Sequence, residues 1–232
     1  MNPGIYFGAL NEIVRQRELA VITQNLSNIS TPGYKEERMA FSKYFLSVIE
    51  SRKTDFSQGD LKPTQSPFDI AISGADNVFF VVMSPDGKEY YTRRGDFTLD
   101  KEGRLITVNG FLVQGKSGNI TLKNSNFQIN KAGEISVNGK VVDKLRLVSL
   151  PTEKLLRYGK TMFYLKDKNK APQEASDYKI FQGYLESSNV KAIEEMADMI
   201  SCLRNYEICQ KSIQSQDETT SRLINDVGIV RA

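Results

Sequence analysis

Apolar residues recur at steps of three and four at both ends of the chain and at steps of two between them. Near the N-terminus Leu19, Ile22, Leu26 and Ile29 follow the spacing of a coiled-coil seam. Ala192, Met196, Met199, Leu203 and Tyr206 repeat that spacing near the C-terminus. The first pattern predicts a helix from about Asn2 to Ile29, with Leu10, Ile13, Val14 and Val21 widening its apolar surface towards more than one neighbour. Ser30-Thr31-Pro32-Gly33 ends it, because Pro32 has no N–H to donate and disfavours helix at the residue before it. The second pattern predicts a helix beginning after Gly183, with Ser187, Ser188 or Asn189 as candidate caps and Glu194 and Glu195 complementing the helix dipole. It runs through Ile213 and Ile224 to Val227, with Gly228 as its stop. Gln210, Asp217 and Thr220 fall on the extrapolated seam, where polar residues fix register or face another subunit. A helix with one apolar stripe requires a partner, either the other helix or a copy in a second molecule, and this points to assembly rather than catalysis.

Between the ends, Val78-Phe79-Phe80-Val81-Val82-Met83 reads as a strand, turned by Pro85-Asp86-Gly87 into Glu89-Tyr90-Tyr91-Thr92. Gly103, Asn109-Gly110, Gly133 and Asn138-Gly139 then punctuate Leu105–Val108, Phe111–Val113, Glu134–Val137 and Leu145–Val148. Short strands at this spacing predict an antiparallel β domain, a sandwich or open barrel. The fold class is therefore α+β: N- and C-terminal helices pairing as a coiled-coil-like domain (1–33 plus 187–232) and a central antiparallel β domain (68–178). Segments 34–67 and 179–186 read as an extended connector, with Phe41 and Phe45 at i, i+4 suggesting a short helical piece. Lys166-Asp167-Lys168-Asn169-Lys170 reads as a solvated charged loop.

Composition narrows the chemistry. The 232 residues are 40% apolar, enough for a real core, and 31 basic against 28 acidic residues leave a net charge of +3 with no dense cationic tract. Nucleic-acid binding is disfavoured. No apolar run reaches the roughly 18 to 20 residues that span a bilayer, so no direct membrane insertion is expected, and the start shows no Sec-type signal. The chain has no histidine, which removes Ser-His-Asp and Cys-His arrangements and the usual neutral-pH base. Asp96 and Asp100 read as solvated turn residues rather than as a catalytic pair. Cys202 and Cys209 lie about 10 Å apart along one predicted helix, too far to bond, and read as small semi-buried residues. No metal-ligand spacing and no phosphate-binding glycine loop is present, so neither an enzyme nor a cofactor is expected.

The residues also carry a resemblance. Asn25-Leu26-Ser27-Asn28-Ile29-Ser30-Thr31-Pro32-Gly33-Tyr34-Lys35 is similar to the N-terminal signature of the bacterial flagellar rod and hook proteins. Asp69–Gly74, Phe79–Val82, Pro85-Asp86-Gly87 and Tyr91–Phe97 are similar to their central block. Leu185–Val190, Glu195-Met196, Arg204–Glu207 and Lys211–Ile213 are similar to their C-terminal block. The matches occur in order and cover both ends and the middle. Ala75-Asp76-Asn77-Val78 stands where this family has a tighter glycine-containing turn, and cysteines are unusual in its members.

The resemblance implies a structural subunit of the basal-body rod in the periplasm, with both terminal helices in an inner coiled-coil layer of a tubular axial structure and the β domain outside. The implied partners are other flagellar rod proteins, copies of the chain itself and the flagellar type III export apparatus. The short length, the start Met-Asn-Pro-Gly-Ile-Tyr and the ending Ile224–Val230 favour the proximal over the distal rod. The assembly interface is expected along Leu19, Ile22, Leu26 and Ile29 and along Val190, Ile193, Met196, Ile200, Leu203, Tyr206 and Ile213. Because isolated helices are marginal without packing, the tails are expected to order on joining the rod. The rival class is a cell-envelope module whose β domain holds a glycan or peptide and whose helices only oligomerise it.

Overall fold

A computed structural model of the chain describes residues 3–39, 52–122, 127–166 and 172–228. Two units are present, one comprising Met1–Ser27, Glu37–Thr54 and Lys191–Ala232, the other Asn28–Glu36 and Asp55–Val190. Phe41 and Phe45 lie outside the described residues, as does most of the Lys166–Lys170 loop.

The first unit holds two helices, α1 (Pro3–Ser27) and α2 (Ala192–Gly228), and an antiparallel pair of short strands, β1 (Glu37–Met39) and β2 (Arg52–Thr54). α1 ends two residues before Ile29, and the turn that follows is closed by the Thr31 N–H on the Asn28 carbonyl at 3.0 Å. α2 begins at Ala192, so Val190 precedes it; Glu194 and Glu195 occupy the first turn, where carboxylates complement the dipole. Of the three candidate caps, Ser188 accepts from the Val190 N–H at 3.2 Å, outside the helix, and the Asn189 side chain is committed elsewhere.

In the second unit the described strands all pair antiparallel, with a short 3-10 turn at Thr152–Lys154. Its strands are β3 (Leu61–Pro63), β4 (Ile70–Gly74), β5 (Val78–Met83), β6 (Glu89–Thr92), β7 (Phe97–Leu99), β8 (Leu105–Thr107) and β9 (Leu112–Val113). β10 (Phe127–Ile129), β11 (Glu134–Val137) and β12 (Lys140–Lys144) form a three-stranded meander. β13 (Leu147–Ser149), β14 (Leu155–Tyr158), β15 (Met162–Leu165), β16 (Gln173–Glu174), β17 (Tyr178–Gln182) and β18 (Tyr184–Glu186) complete it. The largest sheet runs β14-β15-β6-β5-β9-β8-β7, with β13 also paired to β5.

β5 explains its own apolar run. Successive side chains of a strand point to opposite faces, and both faces of β5 are covered. Val78, Phe80 and Val82 join Ile70, Ile72, Leu105 and Leu147 in one core, whereas Phe79 and Val81 join Phe56, Tyr91 and Phe163 in another. The α+β class expected from the sequence is what is found, with one helix at each end and a central antiparallel β region. Of the segments expected to serve as connector, residues 34–36, 55–67 and 179–186 are part of this unit, whereas β1 and β2 belong to the first. β3 pairs with β18 and β4 with β17, which brings strands more than 100 positions apart into register, and Tyr34 and Phe56 are buried.

Candidate assembly surface

α1 and α2 pack against each other in antiparallel fashion. Asn25 Nδ2 donates to Glu195 Oε1 at 2.9 Å, the Cys202 thiol to the Arg15 carbonyl at 3.3 Å, and the Tyr206 hydroxyl to Glu12 Oε1 at 2.8 Å. At the far end a Cβ on Gly8 would stand 2.7 Å from Ile213 Cγ1, so glycine is what lets the helices close there. As numbers fall along α1 they rise along α2.

Among the described side chains of α2 the least exposed are Ala192, Glu195, Met199, Cys202, Tyr206, Cys209, Ile213, Gln216 and Thr220, a strict alternation of threes and fours. Every second position of this seam coincides with the seam expected from the sequence: 192, 199, 206, 213 and 220. The intervening positions are displaced by one residue. Glu195, Cys202, Cys209 and Gln216 take the places expected for Met196, Leu203, Gln210 and Asp217. α1 supplies the reason, because it offers Asn25, Arg15, Glu18 and Glu12 to α2, and polar or small groups satisfy these where methionine and leucine do not. Burial, with the Glu18 carboxylate nearby, pushes the Cys202 thiol above its ordinary value, so it stays protonated and inert.

The displaced apolar residues form a second stripe. Ile193, Met196, Ile200 and Leu203 follow steps of three, four and three along α2, and all are exposed, Ile193 at 84%. Of the other expected interface residues, Tyr206 and Ile213 lie on the seam with α1. On α1 Ile22 is buried and Leu19 and Leu26 are partly buried; Ile29 and Val190 belong to the second unit.

Within the second unit, residues of all three signature blocks converge on a buried node that the periodicity did not reveal. Lys35 Nζ donates to Glu186 Oε1 at 2.6 Å and to the Ser57 carbonyl at 2.7 Å. The Arg93 guanidinium stands 3.6 Å from the other carboxylate oxygen and donates to the Ala75 carbonyl at 3.2 Å. All three charged side chains are fully buried. The Gly33 N–H donates to the Glu186 carbonyl at 2.8 Å and the Gly59 N–H to its carboxylate at 3.1 Å. Asn189 bridges the surrounding segments, accepting from the Glu36 N–H at 2.8 Å and donating to the Asp55 carbonyl at 2.9 Å. Arg157 lies over the rings of Tyr34 and Phe163 and donates to the Lys35 carbonyl. Burial lowers the Lys35 ammonium from its ordinary value, opposed by the Glu186 carboxylate, and burial likewise lowers Arg93. Gly33 takes a positive φ of 63° and packs against the Arg93–Arg94 backbone, so the Pro-Gly of the signature is set by both conformation and space.

Asp96 and Asp100 are turn residues. Asp96 pairs with Arg94 at 2.6 Å, while Asp100 accepts from the Glu102 and Arg104 backbone at 2.9 and 2.8 Å. The Ala75–Val78 turn is held by Asp76 accepting from the Gln58 N–H and by Asn77 donating to Ser149. Among the described residues no helix is long and apolar enough to cross a membrane, and no cluster of three metal-ligating side chains occurs.

Three family descriptions match the chain: flagella basal body rod protein over residues 9–35, flagellar hook protein FlgE/F/G D1 domain over 71–137, and flagellar basal body rod FlgEFG protein C-terminal over 182–226. The chain is similar to flagellar basal-body rod protein FlgF of Buchnera aphidicola from Schizaphis graminum, 32% identical over 242 residues, which covers 95% of this chain and 96% of that one. It is 31% identical to FlgF of Salmonella typhimurium over 248 residues, 96% of this chain and 97% of the relative. Against flagellar basal-body rod protein FlgG of Buchnera aphidicola from Acyrthosiphon pisum it is 30% identical over 260 residues, 96% and 99% of the two chains.

Proposed function

Because this chain belongs to the flagellar basal-body rod proteins of the FlgF/FlgG type, structural subunits located in the basal-body rod, we propose that it is a proximal-rod subunit whose helices form a coiled-coil-like layer with those of its neighbours. Rod proteins assemble with other flagellar components, and the partners in this reading are other rod proteins, further copies of this chain and, during delivery, the flagellar type III export apparatus. The 32% identity to one FlgF relative, aligned over 242 residues, against 30% to a FlgG relative aligned over 260 supports the proximal assignment.

One observation carries the reading. α2 bears two stripes at heptad spacing, of which the first is occupied by α1 and the second, Ile193, Met196, Ile200 and Leu203, lies open. Each such side chain contributes about 1.5 to 3 kcal/mol when fully buried, so a neighbouring helix on this stripe supplies what a lone subunit lacks. A contact between two different faces repeats from subunit to subunit, and where its rotation does not close it generates the open helix that a rod requires.

The test is a Met196→Asp/Ile200→Asp variant of the full chain. Its melting temperature as an isolated protein is expected to match wild type, since exposed substitutions usually change stability by no more than about 0.5 kcal/mol each. Cells carrying it are expected to lack rods and motility. Normally assembled rods would overturn the assignment of the second stripe, and absent secretion would locate the defect in export.

A further inference from the structure

Assembly through the helices leaves unexplained why the second unit buries two cations around one carboxylate. Lys35 and Arg93 belong to the first half of the chain, and the carboxylate between them, Glu186, lies near its end. With that carboxylate absent, ammonium and guanidinium would face each other in the interior as like charges, each opposing the other's ionisation. Asp76 attracts both as a weaker influence than Glu186. A buried charge that has lost its partner is strongly destabilising, so the favoured outcome is for Lys35 to swing out to water and take its segment with it.

The backbone depends on the same late residues. Gly33, Glu36 and Gly59 donate their N–H groups to Glu186 or Asn189, and the Asp55 and Ser57 carbonyls accept from Asn189. A side chain on Gly59 would collide with the Ser187 carbonyl, which shows how closely the two segments approach. Hydrogen-bonding groups of residues 28–36 and 55–59 are thus satisfied by residues 186–189, and buried ones left unmet are unfavourable.

We propose that Glu186 and Asn189 form a completion latch: residues 28–36 and 55–59 close onto the β unit only when the segment 184–190 is in place. The part of this unit that comes first in the chain therefore waits for the part that comes last. Desolvation offsets much of the attraction within a buried ion cluster, whereas removing one partner is strongly destabilising, and this asymmetry is what makes closure conditional on Glu186. The latch lies wholly inside the second unit and stands whether or not the α2 stripe is the assembly surface.

Hydrogen exchange read by mass spectrometry on the full-length protein tests it. Glu186→Gln keeps the shape and the acceptor for Gly59 but removes the charge. It is expected to speed exchange in peptides covering 28–36 and 55–59 together, by at least about tenfold, while β5 and β15 remain protected. Adding Lys35→Met to Glu186→Gln removes one stranded cation and is expected to slow that exchange again. Unchanged exchange in both segments, equal acceleration in β5, or a double variant as open as Glu186→Gln alone would each overturn the latch. Should Glu186→Gln fail to fold, Asn189→Ala serves, because it leaves the charges untouched. It is expected to open the same two segments, and opening of only one would overturn the proposal.

Discussion

Asn25 and Glu195 are 170 positions apart in the chain and meet at 2.9 Å. Asn25 also forms a two-way bridge to the Glu37 backbone, donating to its carbonyl at 2.8 Å and accepting from its N–H at 3.0 Å. One buried side chain therefore joins α1, α2 and β1 by donating twice and accepting once, whereas a hydroxyl has a single proton to donate and an ionised carboxylate has none. The asparagine of the N-terminal signature is set by hydrogen-bond chemistry rather than by the helical stripe on either side of it.

Asn25→Ala is accordingly expected to destabilise the first unit by about 2 to 4 kcal/mol, because it leaves the Glu37 N–H and carbonyl without their partner in a buried place. Glu195→Gln keeps an acceptor at the same position and is expected to cost less than about 1 kcal/mol. Thermal unfolding followed by helical circular dichroism measures both. Equal losses in the two variants would mean that the bridge to Glu37 contributes little.

The same residues explain what could be read from the sequence. Helix positions, the strand at Val78–Met83 and the turns at Gly87, Gly103, Gly110, Gly133 and Gly139 were legible because each is a local pattern, and all five glycines adopt positive φ. Half of the α2 seam was legible and half was displaced by one residue. Choosing the largest apolar side chains favours Met196 and Leu203, whereas the partner helix presents polar groups that call for Glu195 and Cys202. Periodicity locates a stripe without saying which neighbour covers it. The buried node was illegible for a different reason. Lys35, Arg93 and Glu186 look like ordinary surface charges in the sequence, and only the meeting of three segments far apart in the chain brings them together.

Gly95 offers a sharp test of the second unit's packing. Its carbonyl accepts from the Ile70 N–H at 2.9 Å, and a Cβ at this position would overlap the Ile70 carbonyl oxygen, a backbone atom that cannot rotate away. Gly95→Ala is expected to destabilise the β unit by about 3 kcal/mol or more. Gly87 is the control: it has a positive φ of 75° but open space around it. Gly87→Ala is expected to cost about 1 kcal/mol through backbone strain alone. Urea unfolding monitored by tyrosine fluorescence distinguishes them, and similar midpoints would argue that β4 and the Gly95 turn are less closely apposed.

Tyr91 gives the β unit an alkaline limit. Burial raises its phenol from the ordinary value of 10 to about 12, reinforced by the Glu89 carboxylate and opposed by Arg146. In the unfolded chain the phenol loses its proton near 10, whereas in the folded chain it keeps it to about 12. The folded state thus holds the extra proton between these values, and by linkage stability is fully present below the unfolded value and falls as pH rises through this window. Unfolding free energy measured from about pH 9 to about pH 11.5 is expected to fall more steeply for wild type than for Tyr91→Phe, which has no phenol to ionise. Other titrating groups contribute equally to both proteins, so the difference in slope isolates Tyr91. Parallel slopes would mean that water reaches the phenol despite its burial beside Phe79, Val81 and Phe163.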